Sequence, residues 1–368
     1  MPLTDPTSNL GSDPVSDVIS DLVSVEAIRE AAARIAPVAV RTPLLVSEVD
    51  LPGGGAARVW LKCESLQHAG AFKLRGAYNL IASLTQAERD AGVVTYSSGN
   101  HAQGVAWSAR EFGIAATVVM PVDAPEVKRR AVIAMGARVE RVGTTTPERQ
   151  ARAEEIVAEE GGTMVPPFDD PRIIAGQATA GLEILDQLAD AAARQPGLAP
   201  PVGAPGLVLV PIGGGGLLSG IAAAVRRLSP ATRIVGVEPE GAPKMRRSLD
   251  AGHPITLSSI DTIADGLKPV RPGDLTFEHT RALVDDVVTL TDASIRAAVL
   301  WCYGRRLVVE PSGAATIAAL RSGRVAPAAK GETVAVLSGG NLDPALLQRW
   351  IAEAGEGDQI DGAADAER

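Results

Sequence analysis

The chain has 368 residues and a formal charge of −9, with 46% hydrophobic and 21% charged residues. That length suits one large or two ordinary domains with a substantial core, while the acidic balance and the lack of a basic stripe speak against nucleic acid as a partner. Its two cysteines, Cys63 and Cys302, share no repeated spacing, which argues against a disulfide framework or a thiolate zinc site and suits a reducing cytosol.

Residues 1–22 are polar, aperiodic and rich in Pro, Ser and Asp, so a disordered tail is expected. Asp5, Asp13, Asp17 and Asp21 precede the first basic residue, Arg29, which is not a signal-peptide pattern. Order is expected from Ser24, an N-cap with Glu26 in the first turn. Ile28, Ala31, Ala32 and Ile35 then share one helical face, and Pro37 stops the helix. Beyond it, strands are predicted at Val59–Cys63, Val93–Tyr96, Ala116–Met120, Arg138–Val142, Leu207–Pro211, Ile234–Glu238, Val287–Thr291 and Thr333–Leu337. Many are unbroken apolar runs, the pattern of strands buried on both faces of a parallel sheet. Helical stretches between them supply right-handed crossovers. Gln195–Gly206, with four prolines and three glycines, reads as a surface loop. The uncharged run Gly206–Val225 could reach across a bilayer, but Pro211 and six glycines rule it out as a transmembrane helix. Gly355–Arg368 reads as an acidic tail. The expectation is a soluble, cytosolic α/β protein with no membrane partner.

Lysine is scarce: six residues against 29 arginines. One of them, Lys73, lies in the apolar stretch Ala-Phe-Lys-Leu-Arg-Gly-Ala near a predicted helix start. Desolvation there would lower an ammonium from about 10.4 toward about 7–8 and yield an amine nucleophile. A lysine snorkelling from a helix face fits the same pattern. Ser97-Ser98-Gly99-Asn100-His101 follows the strand Val93–Tyr96 and opens a helical run. The turn can bind an anion such as a carboxylate on its free N–H groups, or serve as an ordinary N-capped turn. Gly213-Gly214-Gly215-Gly216 joins the strand Leu207–Pro211 to a helix. It lacks the spacing of a dinucleotide loop and the Lys-Ser/Thr of a P-loop, leaving a cup for a monophosphate. Ser338-Gly339-Gly340-Asn341 closes the last strand at the edge where such sheets place ligand contacts. An amine, a phosphate cup and convergent hydroxyl and amide donors together describe a pyridoxal phosphate site.

Read together, Arg41–Leu44, Ala71–Ala77, Ser97–Gly104, Ile174–Gln177, Gly213–Gly216, Thr262–Gly266, Glu310-Pro311 and Ser338–Asn341 resemble fold-type II pyridoxal-phosphate enzymes. The group is that of threonine/serine dehydratases and serine racemases, and the resemblance covers roughly residues 25–352. It implies an α/β fold of two open, twisted parallel-sheet domains, like the tryptophan synthase β chain. Residues 23–91 and 170–354 would form the large cofactor-binding domain, and 92–169 a small mobile domain. It also implies a homodimer or homotetramer. By the same resemblance Lys73 binds the cofactor covalently, Phe72 stacks beside its ring and Asn100 holds its phenolic oxygen. Gly213, Gly214, Gly215 and Gly216 bind its phosphate, and Ser338 meets the pyridine nitrogen. Ser97, Asn100 and His101 take the substrate carboxylate, with Arg149 as a guanidinium clamp. Ser98 matches the second acid/base of serine racemases, though its hydroxyl could equally cap the following helix. Ala71 replaces the usual Ser or Thr. The implied reaction is β-elimination from L-threonine or L-serine, with serine racemisation or 3-hydroxyaspartate dehydration as alternatives. The chain ends soon after Asn341, so no feedback domain is expected. Some relatives bind a divalent cation through a Glu and an Asp six positions later; here those positions hold Glu238 and Lys244, so no metal is expected.

Overall fold

A computed structural model describes residues 22–194 and 202–365. Its strands are β1 (Leu44–Asp50), β2 (Ala56–Lys62), β3 (Val93–Tyr96), β4 (Ala116–Met120), β5 (Arg138–Arg141), β6 (Thr163–Met164), β7 (Pro205–Pro211), β8 (Arg233–Pro239), β9 (Asp286–Leu290) and β10 (Glu332–Val336). They form a six-stranded sheet in the order β1-β2-β10-β7-β8-β9 and a four-stranded sheet in the order β5-β4-β3-β6. Every neighbouring pair is parallel except β1 with β2. The smaller sheet is built entirely from residues between 93 and 164.

The unbroken apolar runs of the larger sheet are explained by burial on both faces. Val208, Val210, Val334 and Val336 pack with Ile174, Ala178 and Ile221 on one side. Their neighbours Leu207, Leu209 and Ala335 pack with Ile295, Val299 and Ile317 on the other. Each such valine, leucine or isoleucine contributes about 1.5–3 kcal/mol through lost apolar exposure, so the central strands are strongly held. The smaller sheet is clad unequally. One face shares a core with Leu80, Ile81, Val105 and Ile173, whereas the other is covered by the helix Thr146–Glu160 through Ala153 and Ile156.

Several boundaries differ from the expectation. Ser24 does cap the helix Val25–Ile35, its hydroxyl accepting from Ala27 N–H. Order begins earlier, however: Leu22 and Val23 are both buried, and Val23 N–H donates to His279 Nε2 at 3.1 Å. β1 was not predicted, because as the antiparallel edge it leaves Leu45 and Val46 exposed and shows no alternation. Residues 355–365 of the segment expected as an acidic tail continue the helix Pro344–Asp365, and 366–368 lie outside the described residues. Residues 195–201 of the expected loop, and 1–21 of the expected tail, lie outside the described residues. Among the described residues no helix is long and apolar enough to cross a membrane.

Candidate active site

The carboxyl ends of β2, β10 and β7 converge, and the candidate residues follow directly from them. Leu337 N–H donates to Lys62 carbonyl and Ser65 N–H to Leu337 carbonyl, at 2.9 and 3.0 Å. Ala71 then bridges to Gly339, and Phe72 N–H donates to the carbonyl of Ser338 at 3.2 Å. Lys73, the first residue of the helix Lys73–Ala82, therefore stands beside the buried Ser338. A block of charge anchors this helix from behind. Arg75, fully buried, donates to both oxygens of Glu64 at 2.8 Å and to Glu183 at 2.7 and 2.8 Å. Lys62, also fully buried, donates to Glu183 at 2.5 Å and to Thr42 carbonyl at 2.9 Å. Two cations face two carboxylates, which is what lets them remain in the interior.

Lys73 has no such partner. Its Nζ donates to the carbonyl of Pro167 at 2.6 Å and lies 5.2 Å from the centre of the Phe72 ring. Part of the side chain faces the cleft, but protein surrounds the amine. That desolvation alone pushes the ammonium down to about 8. The helix Asn100–Phe112 crosses close by because Gly104 has no side chain: a methyl there would sit 3.1 Å from the Lys73 carbonyl carbon.

This helix starts at the Ser97–His101 turn. Its N-cap is Gly99 and carries no side-chain cap, so Ser98 does not cap it; the Ser97 hydroxyl instead accepts from Gly99 N–H at 3.3 Å. The first N–H groups of the helix therefore stay free for an anion. His101 offers its backbone N–H but not its ring. The ring is buried, and Nε2–H donates to Val165 carbonyl at 3.0 Å. Burial, together with the nearby Lys73 ammonium, pushes it down to about 3, so it stays neutral. Asn100 is held on two sides: its Nδ2 donates to Glu310 Oε1 at 2.5 Å, and its Oδ1 accepts from Asn341 Nδ2 at 2.8 Å.

The glycine turn follows β7. Gly215 adopts φ of 105°, a left-handed conformation, and the helix Gly216–Leu228 begins at the next residue. A methyl at Gly214 would collide with the Phe168 ring, and one at Gly213 would meet Gly266 carbonyl at 2.6 Å. Phe168 adjoins Pro167, so one peptide step links the glycine turn to the Lys73 partner. Beneath the turn, Lys244 is fully buried. Its ammonium donates to the carbonyls of Ile212 and Leu267 at 3.0 Å and of Ala242 at 3.2 Å, and lies 3.3 Å from Glu238.

Lys73, Phe72, Asn100, Ser338 and the glycine turn are thus brought together. Arg149 is not drawn toward them: its guanidinium donates to Thr144 carbonyl and Thr146 Oγ1 at the start of its own helix. Two residues without an assigned role in the sequence, Glu310 and Asn341, prove to frame Asn100. Both lie in stretches that carry the resemblance, Glu310-Pro311 and Ser338–Asn341, but nothing local in those stretches says which residue they meet.

A desolvated amine without a carboxylate beside it, linked through Pro167 and Phe168 to a turn of side-chain-free amides, fits pyridoxal phosphate, whose aldehyde and phosphate need those two features. Residues 35–339 match the family model described as "Pyridoxal-phosphate dependent enzyme". The chain is 40% identical to an L-threonine ammonia-lyase of Thermotoga maritima over 90% of its length and 78% of that relative. It is 42% identical to the catabolic L-threonine dehydratase of Escherichia coli, over 77% of this chain and 83% of that one. The crystal structure of a T.th. threonine deaminase superposes with a TM-score of 0.77 at 41% identity, covering 87% and 99% of the two chains. Maize serine racemase superposes with 0.79 at 36% identity, covering 92% and 99%.

Proposed function

Because the chain belongs to the pyridoxal-phosphate-dependent enzyme family, we propose that it eliminates the β-hydroxyl of L-threonine, L-serine or both. The products are a 2-oxo acid and ammonia. The observation that carries this reading is the Lys73 amine, which is desolvated, has no carboxylate beside it and lies next to a helix start that can take a substrate carboxylate. When bound, the cofactor supplies an electrophilic carbonyl for the substrate amine and an electron sink for its Cα.

The residues of the chain do the rest. Lys73 holds the cofactor, and the amides of Gly213 to Gly216 take its phosphate at the positive end of a helix. Phe72 lies beside the ring, Ser338 meets the pyridine nitrogen, and Asn100 turns its remaining N–H to the phenolic oxygen. Ser97 and the N–H groups of Asn100 and His101 orient the substrate carboxylate, with Arg149 joining them when the smaller sheet moves toward the cleft. Lys73 Nζ, with its ammonium pushed down to about 8, is neutral often enough near neutral pH to accept the Cα proton. Ser338, buried and uncharged, would not hold a proton on the pyridine nitrogen as a carboxylate would, so the cofactor would supply a weaker electron sink there. The released enamine hydrolyses to the 2-oxo acid, and ammonia leaves.

The decisive assay supplies purified protein with L-threonine, L-serine and 3-hydroxyaspartate in turn and measures 2-oxo acid and ammonia. Turnover of L-threonine or L-serine is expected; no 2-oxo acid from any of the three overturns the reading. Serine racemisation is a second reading, favoured by the freedom of the Ser98 hydroxyl from helix capping. It is expected as a side activity that Ser98→Ala removes, and D-serine appearing faster than pyruvate would reverse the order. The reading also includes a cytoplasmic homodimer or homotetramer, supported by exposed Leu45, Val46, Leu66 and Val308. Light scattering on purified protein decides the assembly.

A further inference from the structure

Glu310 immediately precedes the helix Pro311–Arg321, yet its carboxyl does not cap that helix. The side chain is buried and turns instead to the site, where Oε1 accepts from Asn100 Nδ2 at 2.5 Å. It also fills the space above Gly339, where a methyl would strike Oε1. Counting the hydrogen bonds of the two amides decides what this contact does. Asn341 spends both N–H groups, one on Ala69 carbonyl at 2.9 Å and one on Asn100 Oδ1 at 2.8 Å. Asn100 therefore has its oxygen occupied, one N–H given to Glu310 and a single N–H left. Rotating the Asn100 amide by half a turn would set NH2 against NH2 at Asn341 and its oxygen against the oxygen of an ionised Glu310. Only one orientation survives.

We propose that Glu310, acting through Asn100, is a positioning residue of this site: with Asn341 it fixes the Asn100 amide so that its one uncommitted N–H is aimed at the cofactor's phenolic oxygen. This rests on the assignment of Asn100 to that oxygen made above. The charged groups bearing on Glu310 are Lys128, from the helix Glu126–Ala134, and Asp265, from the turn Asp265–Leu267; they pair with each other at 2.7 Å, and Lys268 joins Asp265 at the same distance. Burial pushes the Glu310 carboxyl up to about 7, against the Asn100 hydrogen bond and Lys128, which favour the ionised form, while Asp265 favours the neutral one. Glu310 is thus poised to change charge near neutrality while hydrogen-bonded to the residue assigned above to the cofactor's phenolic oxygen.

The test compares the holoenzyme with Glu310→Gln, Glu310→Ala and Asn100→Ala. Gln keeps an acceptor oxygen for Asn100 but cannot titrate; Ala removes the acceptor. Glu310→Ala is expected to weaken cofactor binding about tenfold, the cost of leaving a buried donor unpaired. Glu310→Gln is expected to stay within about threefold of the parent and to abolish a transition near pH 7 in the visible band of the bound cofactor. Adding Glu310→Ala to Asn100→Ala is expected to cost nothing further, because both act through one contact. Cofactor affinity and visible band unchanged in Glu310→Ala, or additive losses in the double variant, overturn the proposal. Should Glu310→Ala not fold, the titration in Glu310→Gln decides: a persisting transition overturns it. Borohydride reduction of the parent separates this from the underlying reading, since a parent with no pyridoxyl label on Lys73 refutes that reading instead.

Discussion

Around the candidate site this chain encloses lysines in two different ways. Lys62 and Lys244 are both fully enclosed, and desolvation pushes both ammonium groups down. In each case carboxylates pull the other way: Glu64 and Glu183 for Lys62, Glu238 for Lys244. Lys73, partly open to the cleft, meets only the neutral carbonyl of Pro167, and nothing opposes its desolvation. Burial alone therefore does not make a nucleophile. Burial without a counter-charge does, and the same fold uses the paired Lys62 and Lys244 as structural cations.

The largest expected effect tests the unpaired lysine. Lys73→Ala should lower 2-oxo acid release by at least about three orders of magnitude and remove the borohydride-fixed pyridoxyl label. Peptide mapping checks it, and label on Lys62 or Lys244 in the parent would break the contrast outright. Next comes the ionic block. Glu64→Gln leaves Arg75 short of a partner in a dry interior and should cost about 3 kcal/mol in urea unfolding. In the same experiment on cofactor-free protein, Lys73→Met should lose no stability, since it deletes an amine whose burial nothing offsets. Equal losses in both variants would erase the distinction.

Lys244 offers a smaller test. Its ammonium ties Ile212, one residue before the glycine turn, to Leu267 and Glu238, the work a bound cation could do. Chelation should leave the parent's activity unchanged, whereas Lys244→Met should release cofactor about tenfold more readily. Activity lost to a chelator and restored by Mg²⁺ would show that a metal, not the lysine, does this work. The smallest effect concerns pH. In the folded, cofactor-free chain Lys73 titrates at about 8 against an ordinary 10.5. Between those values the unfolded chain binds the extra proton, so stability gains from Lys73 as pH rises through that window. Lys73→Met should flatten that slope in paired melting curves, and an unchanged slope would place the missing proton elsewhere.

How much of this was legible in the chain follows from how each residue is held. All eight expected strands recur in the structure, because apolar runs between helical stretches are a local signal. Lys73, Gly213–Gly216 and Ser338 were readable for the same reason, since each lies at a strand-to-helix junction whose composition announces it. What the chain could not announce was who meets whom. Asn100 finds Glu310 and Asn341 from 210 and 241 positions away, and Lys128 reaches Asp265 across 137. The neutrality of the His101 ring follows from its burial against Val165, which residue type alone does not reveal. Arg149 was placed near the substrate by resemblance, yet in this structure it is engaged at its own helix start. By itself the sequence determined periodicity, turn chemistry and the scarcity of lysine, because these are properties of neighbours along the chain. The standing of Lys73 as a desolvated amine without a carboxylate, and of Glu310 as a brace for Asn100, was decided only when tertiary packing set the distances between charges.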